Sequence, residues 1–257
     1  MSILKIEGLK ESVAICHRVI AWAEAAAPWN LYHGHVSGRI PGTKHFICKG
    51  RGYEEIGKVD SIDLMSAEDM VVYDLDCNIV ESLPELRPVG EIKLHAEVLK
   101  AMPEVGGVVH MHTPYANLCA ILNKPIFPMT FEHLELWEKP IPIVDLSPRL
   151  ISSEEDAKEA AKVLKESGAK AMLHRYHGAV VIGESAIQAT MLTIMLEKNA
   201  KLNIIAAQAT GRLDHPHIPD KWIKDFMSWY HKYDAKERSS PQLSWKVTAY
   251  QGTKRRT

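Results

Sequence analysis

The spacing of apolar and polar positions divides the chain into a regular series of helices and strands. Over residues 8–27, Val13, Ile15, Cys16, Val19, Ile20 and Ala23 form an apolar stripe at helical spacing, which Pro28 closes. Val36–Ile40 and His45–Cys48 are short apolar runs around Pro41-Gly42, the pattern of a hairpin. Residues 49–62 follow as a charged loop containing glycine. Ser66 to Asp69 predicts a capped turn before a strand at Met70–Leu75, and Asp76 to Asn78 a turn before Ile79-Val80. Glu91–Ala101 predicts a helix with Ile92, His95, Ala96 and Leu99 on one face. Gly107–His112 predicts a buried strand, and Pro114 opens the next helix. Residues 125–150 hold five prolines, an irregular connection with a short strand at Ile141–Val144. A helix capped at Ser152 runs to Ser167, strands follow at Lys170–His174 and Gly178–Ile182, and helices at Ser185–Thr210 and Asp220–Tyr233. Without a repeat or a dividing linker, this pattern predicts one α/β domain over residues 1–257, with 211–257 as a helical C-terminal extension.

Composition narrows the functional classes. A chain of 257 residues can bury a full core without staples. Lys+Arg is 31 and Asp+Glu is 32, so no bulk positive charge is available for nucleic acid. Charges interrupt every apolar stretch of the first ten residues, which argues against a secretory signal. Nor does any uncharged apolar window reach transmembrane length, so no membrane partner is expected. Cys16, Cys48, Cys77 and Cys119 lie far apart, a usage that fits reduced thiols in a cytoplasm and disfavours a thiolate zinc site. The tail Lys254–Thr257 is read as a solvated terminus.

Histidine is the residue in excess, with 13 copies. His110 and His112 are two apart in a predicted strand, so their rings share a face about 7 Å apart along the backbone. Such a pair alone does not define a metal site. His177 adds a third imidazole at a tight turn between two apolar strands, where a buried polar ring needs a partner. Three imidazoles with an open position make a catalytic rather than a structural metal site, suited to Zn, Mn, Fe or Co. Glu91 follows Gly90 at a helix start, where its charged form is favoured, either as a first-turn dipole partner or as an acid/base group facing the metal. His95 lies one turn later on the same side, either supporting Glu91 by a hydrogen bond or, the reading favoured, as a half-buried core histidine.

In this order, Gly34-His-Val-Ser37, Gly90-Glu91, Leu94-His-Ala-Glu97, Val108 to Ala116 and His177 to Gly183 resemble the class II aldolase/adducin family over roughly residues 10–210. The resemblance implies a three-layer α/β/α domain with a central, mostly antiparallel sheet. It also implies a homotetramer, His110, His112 and His177 as metal ligands, and Glu91 as the catalytic carboxylate.

Departures from the sugar-phosphate aldolases of that family set the expected substrate. Their Gly-Asn-x-Ser asparagine is His35 here, their Ser-Ser pair is Val89-Gly90, and no Pro-Ser-Gly or Pro-Thr-Gly occurs in 49–62. A phosphate dianion needs several N–H or O–H donors. Arg87 to Glu91 instead resembles the hydroxyaromatic-acid decarboxylases of the family. The expected activity is therefore non-oxidative decarboxylation of a hydroxylated aromatic dicarboxylate, dihydroxyphthalate-like or hydroxypyridine-dicarboxylate-like. The divalent metal would chelate the substrate's carboxylate and hydroxyl, with no organic cofactor. The alternative is an aldolase or epimerase acting on a sugar or small hydroxy-keto acid. A non-catalytic assembly module ranks last, because the ligand set is complete. Arg39, Arg87 and Arg212, with Arg51 and Arg175 behind them, are candidates for the substrate carboxylate. Ser37 and Tyr176 are further candidate contacts. His35 is a proton donor or substrate contact, or holds its turn by local hydrogen bonds.

Overall fold

The computed structural model describes residues 3–26, 33–52, 61–146, 150–212 and 214–237. Pro28, most of the expected loop at 49–62 and the basic tail at 254–257 lie outside them.

The first helix, α1, spans Ile3–Trp22, and the hairpin forms as β1 (His35–Arg39) and β2 (His45–Arg51). After β2 come β3 (Met70–Asp74), β4 (Ile79–Glu81), β5 (Arg87–Pro88), α2 (Ile92–Ala101), β6 (Gly107–Met111) and α3 (Pro114–Ile121). The second half supplies β7 (Ile143–Val144), α4 (Glu154–Ser167), β8 (Ala171–His174), β9 (Gly178–Gly183) and α5 (Ala186–Thr210). Two strands separate the sequence reading from the structure. β2 continues to Arg51 inside the segment read as a loop, and β5 pairs with its end at Arg51 and Gly50.

One mixed sheet has the order β4-β3-β2-β1-β6-β9-β8-β7, with β5 paired to β2. Its pairs are antiparallel except β7 with β8. The period-2 alternation of strand side chains divides the apolar residues between two faces. Val36, Ile47, Val109 and Val181 pack with α1, α3 and α5. Cys48, Val71, Val108 and Val180 pack with α2 and α4 on the other side. The result is the expected α/β/α layering.

Local chemistry fixes the element ends. The Ser153 hydroxyl accepts the Asp156 N–H at 3.0 Å to start α4, and Gly168 ends that helix with φ +64°. The Ser66 capping box forms with Asp69. Cys77, at a turn position usually filled by glycine, has φ +67°. The four cysteines are free. No helix among the described residues is long and apolar enough to cross a membrane.

Among the described residues, those up to Ile218 form one compact unit and those from Pro219 onward a second. The segment before this boundary stays with the first unit: His217 stacks on Phe127 at 4.0 Å and the Ile218 N–H donates to Pro128 O at 3.1 Å. In the second unit, α6 spans Asp220–Glu237.

Candidate metal centre

Three adjacent strands of the sheet, β1, β6 and β9, bring the histidines together at one end. His35 pairs directly with His110 across β1 and β6, and His110 pairs with Val180 across β6 and β9. The approach is close because two glycines permit it. A Cβ on Gly178 would lie 2.5 Å from the carbonyl oxygen of Met111 and 3.2 Å from Cα of His112. A Cβ on Gly34, whose φ is +101°, would lie 2.4 Å from Sδ of Met111. His112 falls just beyond the end of β6 and keeps its ring beside the others, 5.3 Å from that of His110 and 4.8 Å from that of His177.

Glu91 enters from the opposite layer. It is the N-cap residue of α2, and its carboxylate is not spent on that helix. One oxygen, Oε1, accepts the Ile151 N–H at 2.8 Å and lies 3.6 Å from Nε2 of His177. The other, Oε2, lies 3.2 Å from Nε2 of His110 and 3.7 Å from Nε2 of His35. Glu91, His110, His112 and His177 offer ligand atoms that all lie within 4.8 Å of one another. The two imidazole nitrogens of His110 and His177 are 3.3 Å apart. Two ligands held about 2.0–2.1 Å from one zinc ion at tetrahedral angles lie roughly 3.3–3.4 Å apart, so the spacing fits a shared divalent ion.

Electrostatics prepares the same group. Burial alone would raise the Glu91 pKa, but the charge of and hydrogen bonding to His110, followed by His35, hold it well below the usual carboxylate range. Burial depresses His112 to about 3 and His177 to about 4, helped in each case by the neighbouring imidazoles. Neutral imidazoles keep the lone pairs that ligation needs. Immediately after His112, the Glu197 carboxylate of α5 accepts the Tyr115 N–H at 2.7 Å and the Ala116 N–H at 2.9 Å. It thereby caps α3 from another helix.

Other predicted site residues lie in different surroundings. Ser37 is fully buried and its hydroxyl is 2.7 Å from Nδ1 of His95, so it faces the interior rather than a substrate. Arg39 sits at the far end of β1. Its guanidinium donates to Leu99 O at 2.6 Å in the last turn of α2 and to Val105 O at 2.9 Å just beyond that helix. That replaces the expected substrate contact with a capping role, because cations suit the carbonyl end of a helix. Arg87 donates to Pro84 O at 2.9 Å and Arg175 pairs with Asp145 at 2.9 Å. Arg212 forms an exposed pair with Asp214 at 2.8 Å. Arg51 ends β2. Tyr176 stands beside His177 with φ +64° and is 75% exposed.

Two further histidines are fully buried and use both ring nitrogens. His95 is fully buried and hydrogen-bonded at both nitrogens, to Ser37 and to His35 at 2.7 Å each. Its partners lie across the layers: His35 and Ser37 share one face of β1, and His95 lies on the inner face of α2. His17 donates from Nδ1 to Val13 O at 2.8 Å and accepts the Val36 N–H on Nε2 at 2.9 Å.

Residues 18–204 match the family model of the class II aldolase and adducin N-terminal domain. The chain belongs to the class II aldolase/adducin family. Within it, an L-fuculose phosphate aldolase of Methanococcus vannielii is 28% identical over 144 residues, 56% of this chain and 74% of the relative. Among solved structures, the fold is similar to that of an L-fuculose 1-phosphate aldolase from Glaciozyma antarctica PI12. That match has TM-score 0.68 and 21% identity, covering 87% of this chain and 82% of the other. An aldolase II superfamily protein from Pseudomonas syringae matches with TM-score 0.70 and 18% identity, over 93% and 96% of the two chains.

Proposed function

We propose that the protein is a divalent-metal-dependent aldehyde-lyase that makes or breaks a carbon–carbon bond in a small hydroxy-carbonyl compound. The observation that carries this reading is the convergence of His110, His112 and His177 on the Glu91 carboxylate. The aldolase names of the relatives support it over the decarboxylase expected from the Arg87–Glu91 segment.

In this reading His110, His112 and His177 hold the ion and Glu91 stands against it. The ion, when bound, supplies Lewis-acid polarisation of the substrate carbonyl. The chain supplies the proton chemistry. Glu91 Oε1 is occupied by the Ile151 N–H, so Oε2 is the atom that takes the β-hydroxyl proton as the bond breaks and returns it to carbon. Tyr176, exposed beside His177, is the proposed substrate contact at the mouth. No organic cofactor enters. The expected assembly is a homotetramer and the expected location the cytoplasm.

Decarboxylation of a hydroxylated aromatic acid is the second reading, favoured by one observation. Val89, Gly90 and the inward-turned Ser37 present no hydroxyl for a substrate phosphate. The two readings separate in one assay. Metal-loaded protein is given L-fuculose 1-phosphate, unphosphorylated hydroxy-keto acids and ortho-hydroxy aromatic acids. An aldehyde from either of the first two classes is the expected result. CO2 released from the third class alone overturns it.

A further inference from the structure

A chain of three buried side chains runs beneath the ligand cluster and stops at its inner end. Ser37 Oγ is 2.7 Å from Nδ1 of His95, and Nε2 of His95 is 2.7 Å from Nδ1 of His35. Ser37 and His95 are fully buried and His35 is 5% exposed. The remaining nitrogen of His35, Nε2, faces Oε2 of Glu91 at 3.7 Å. We infer that Ser37 and His95 are positioning residues that lock His35 in the tautomer bearing hydrogen on Nε2, so that His35 presents a fixed N–H donor beside Glu91.

Each neutral imidazole has one N–H and one bare nitrogen, so the chain has two possible directions. In the first, Ser37 donates to Val108 O, His95 Nδ1–H donates to Ser37, and His35 Nδ1–H donates to His95. That leaves the bare Nε2 of His35 opposed to a carboxylate oxygen, two buried acceptors face to face. In the second, Ser37 donates to Nδ1 of His95, His95 Nε2–H donates to Nδ1 of His35, and His35 Nε2–H points at Glu91.

Two distances favour the second direction. The Ser37 hydroxyl is 3.5 Å from Val108 O but 2.7 Å from His95. The Glu91 carboxylate already acts as an acceptor, with the Ile151 N–H 2.8 Å from its other oxygen. An additional proton would place a net charge on rings that are 5% and 0% exposed, which desolvation opposes. The chain also cannot conduct. Val108 O, the other neighbour of Ser37, carries no transferable proton. A proton lost from His35 and replaced through the chain would leave Ser37 as an alkoxide. The arrangement therefore sets direction, and His35 serves as a donor rather than a base. The inference does not depend on which carbon–carbon bond the enzyme cleaves.

The test is long-range proton–nitrogen correlation NMR on the full chain with 15N-labelled histidine, metal-free and zinc-loaded. His35→Gln assigns the His35 signals. The expected result is a pyrrole-type shift at Nε2 and a pyridine-type shift at Nδ1, for both His35 and His95. In Ser37→Ala the His35 Nε2 shift moves part-way toward the pyridine type, and Ser37→Thr, which keeps the hydroxyl, restores it. A bare Nε2 or two protonated nitrogens on wild-type His35 overturns the inference. So does an unchanged shift in a folded Ser37→Ala protein. If that variant does not fold, the wild-type spectrum alone decides.

Discussion

The backbone N–H of Ile151 holds Oε1 of Glu91 at 2.8 Å and leaves Oε2 facing His110. This single bond divides the carboxylate into an anchored oxygen and one turned toward the histidines. Glu91→Gln preserves an acceptor for Ile151 but removes the exchangeable carboxylate. Turnover is expected to fall by about 10²–10⁴-fold while the metal stays bound. Elemental analysis beside a rate measurement checks this, and an unchanged rate removes Glu91 from proton transfer.

The ligand assignment predicts a different signature. His112→Ala or His177→Ala should abolish metal occupancy and the rise in melting temperature that metal gives the wild type. Calorimetry with and without a chelator reads both. Full metal retention in either variant refutes that residue's role.

Gly178→Ala tests the strand approach. Its Cβ would lie 2.5 Å from the carbonyl oxygen of Met111, a backbone atom that has to move. A loss of about 1–3 kcal/mol in urea unfolding is expected, together with weaker metal binding as His177 shifts. Wild-type values for both would mean the strands yield without cost.

Arg39 and the site should separate cleanly. Arg39→Ala removes bonds to Leu99 O and Val105 O, and stability should fall by about 1–2 kcal/mol. kcat/KM on whichever substrate the panel identifies should stay within about twofold, since a remote cap has no transition-state contact. A large fall in kcat/KM with stability intact would restore Arg39 as a substrate contact.

Acid should weaken the metal-free fold through its buried histidines, opposed by the Glu197 carboxyl, which burial pushes up to about 7. Burial holds His17 at about 3 and keeps His95 well below its ordinary 6.5. The unfolded chain therefore takes up more protons. The histidine contribution is complete above pH 6.5 and declines as pH falls toward 3, by up to about 1.4 kcal/mol per pH unit for each such histidine. Urea midpoints between pH 7 and 4.5 measure the slope, and a flat profile would contradict neutral burial.

Much of this was legible because strands and their ends obey short-range rules. The His110/His112 spacing, Pro114 and the glycine after His177 gave the end of β6 and its neighbour without any tertiary information. What escaped depended on contacts across layers. Arg39 reads as any strand-end cation until the C-terminus of α2 is seen beside it. His95 reads as a core residue because a helical apolar face does not reveal the polar strand residues it meets. The β5 pairing is only two residues long, too short for any periodic signal.

The centre draws on β1, β6 and β9, and His110 and His177, whose ring nitrogens lie 3.3 Å apart, are 67 residues apart in sequence. Half of such a pocket has no meaning: it exists only after the middle of the sheet has zipped across long chain separations, a slow class of folding event. A bound ion would accordingly be a late arrival. It would slow unfolding without hastening folding, so metal availability would govern how long the native protein lasts rather than how quickly it forms.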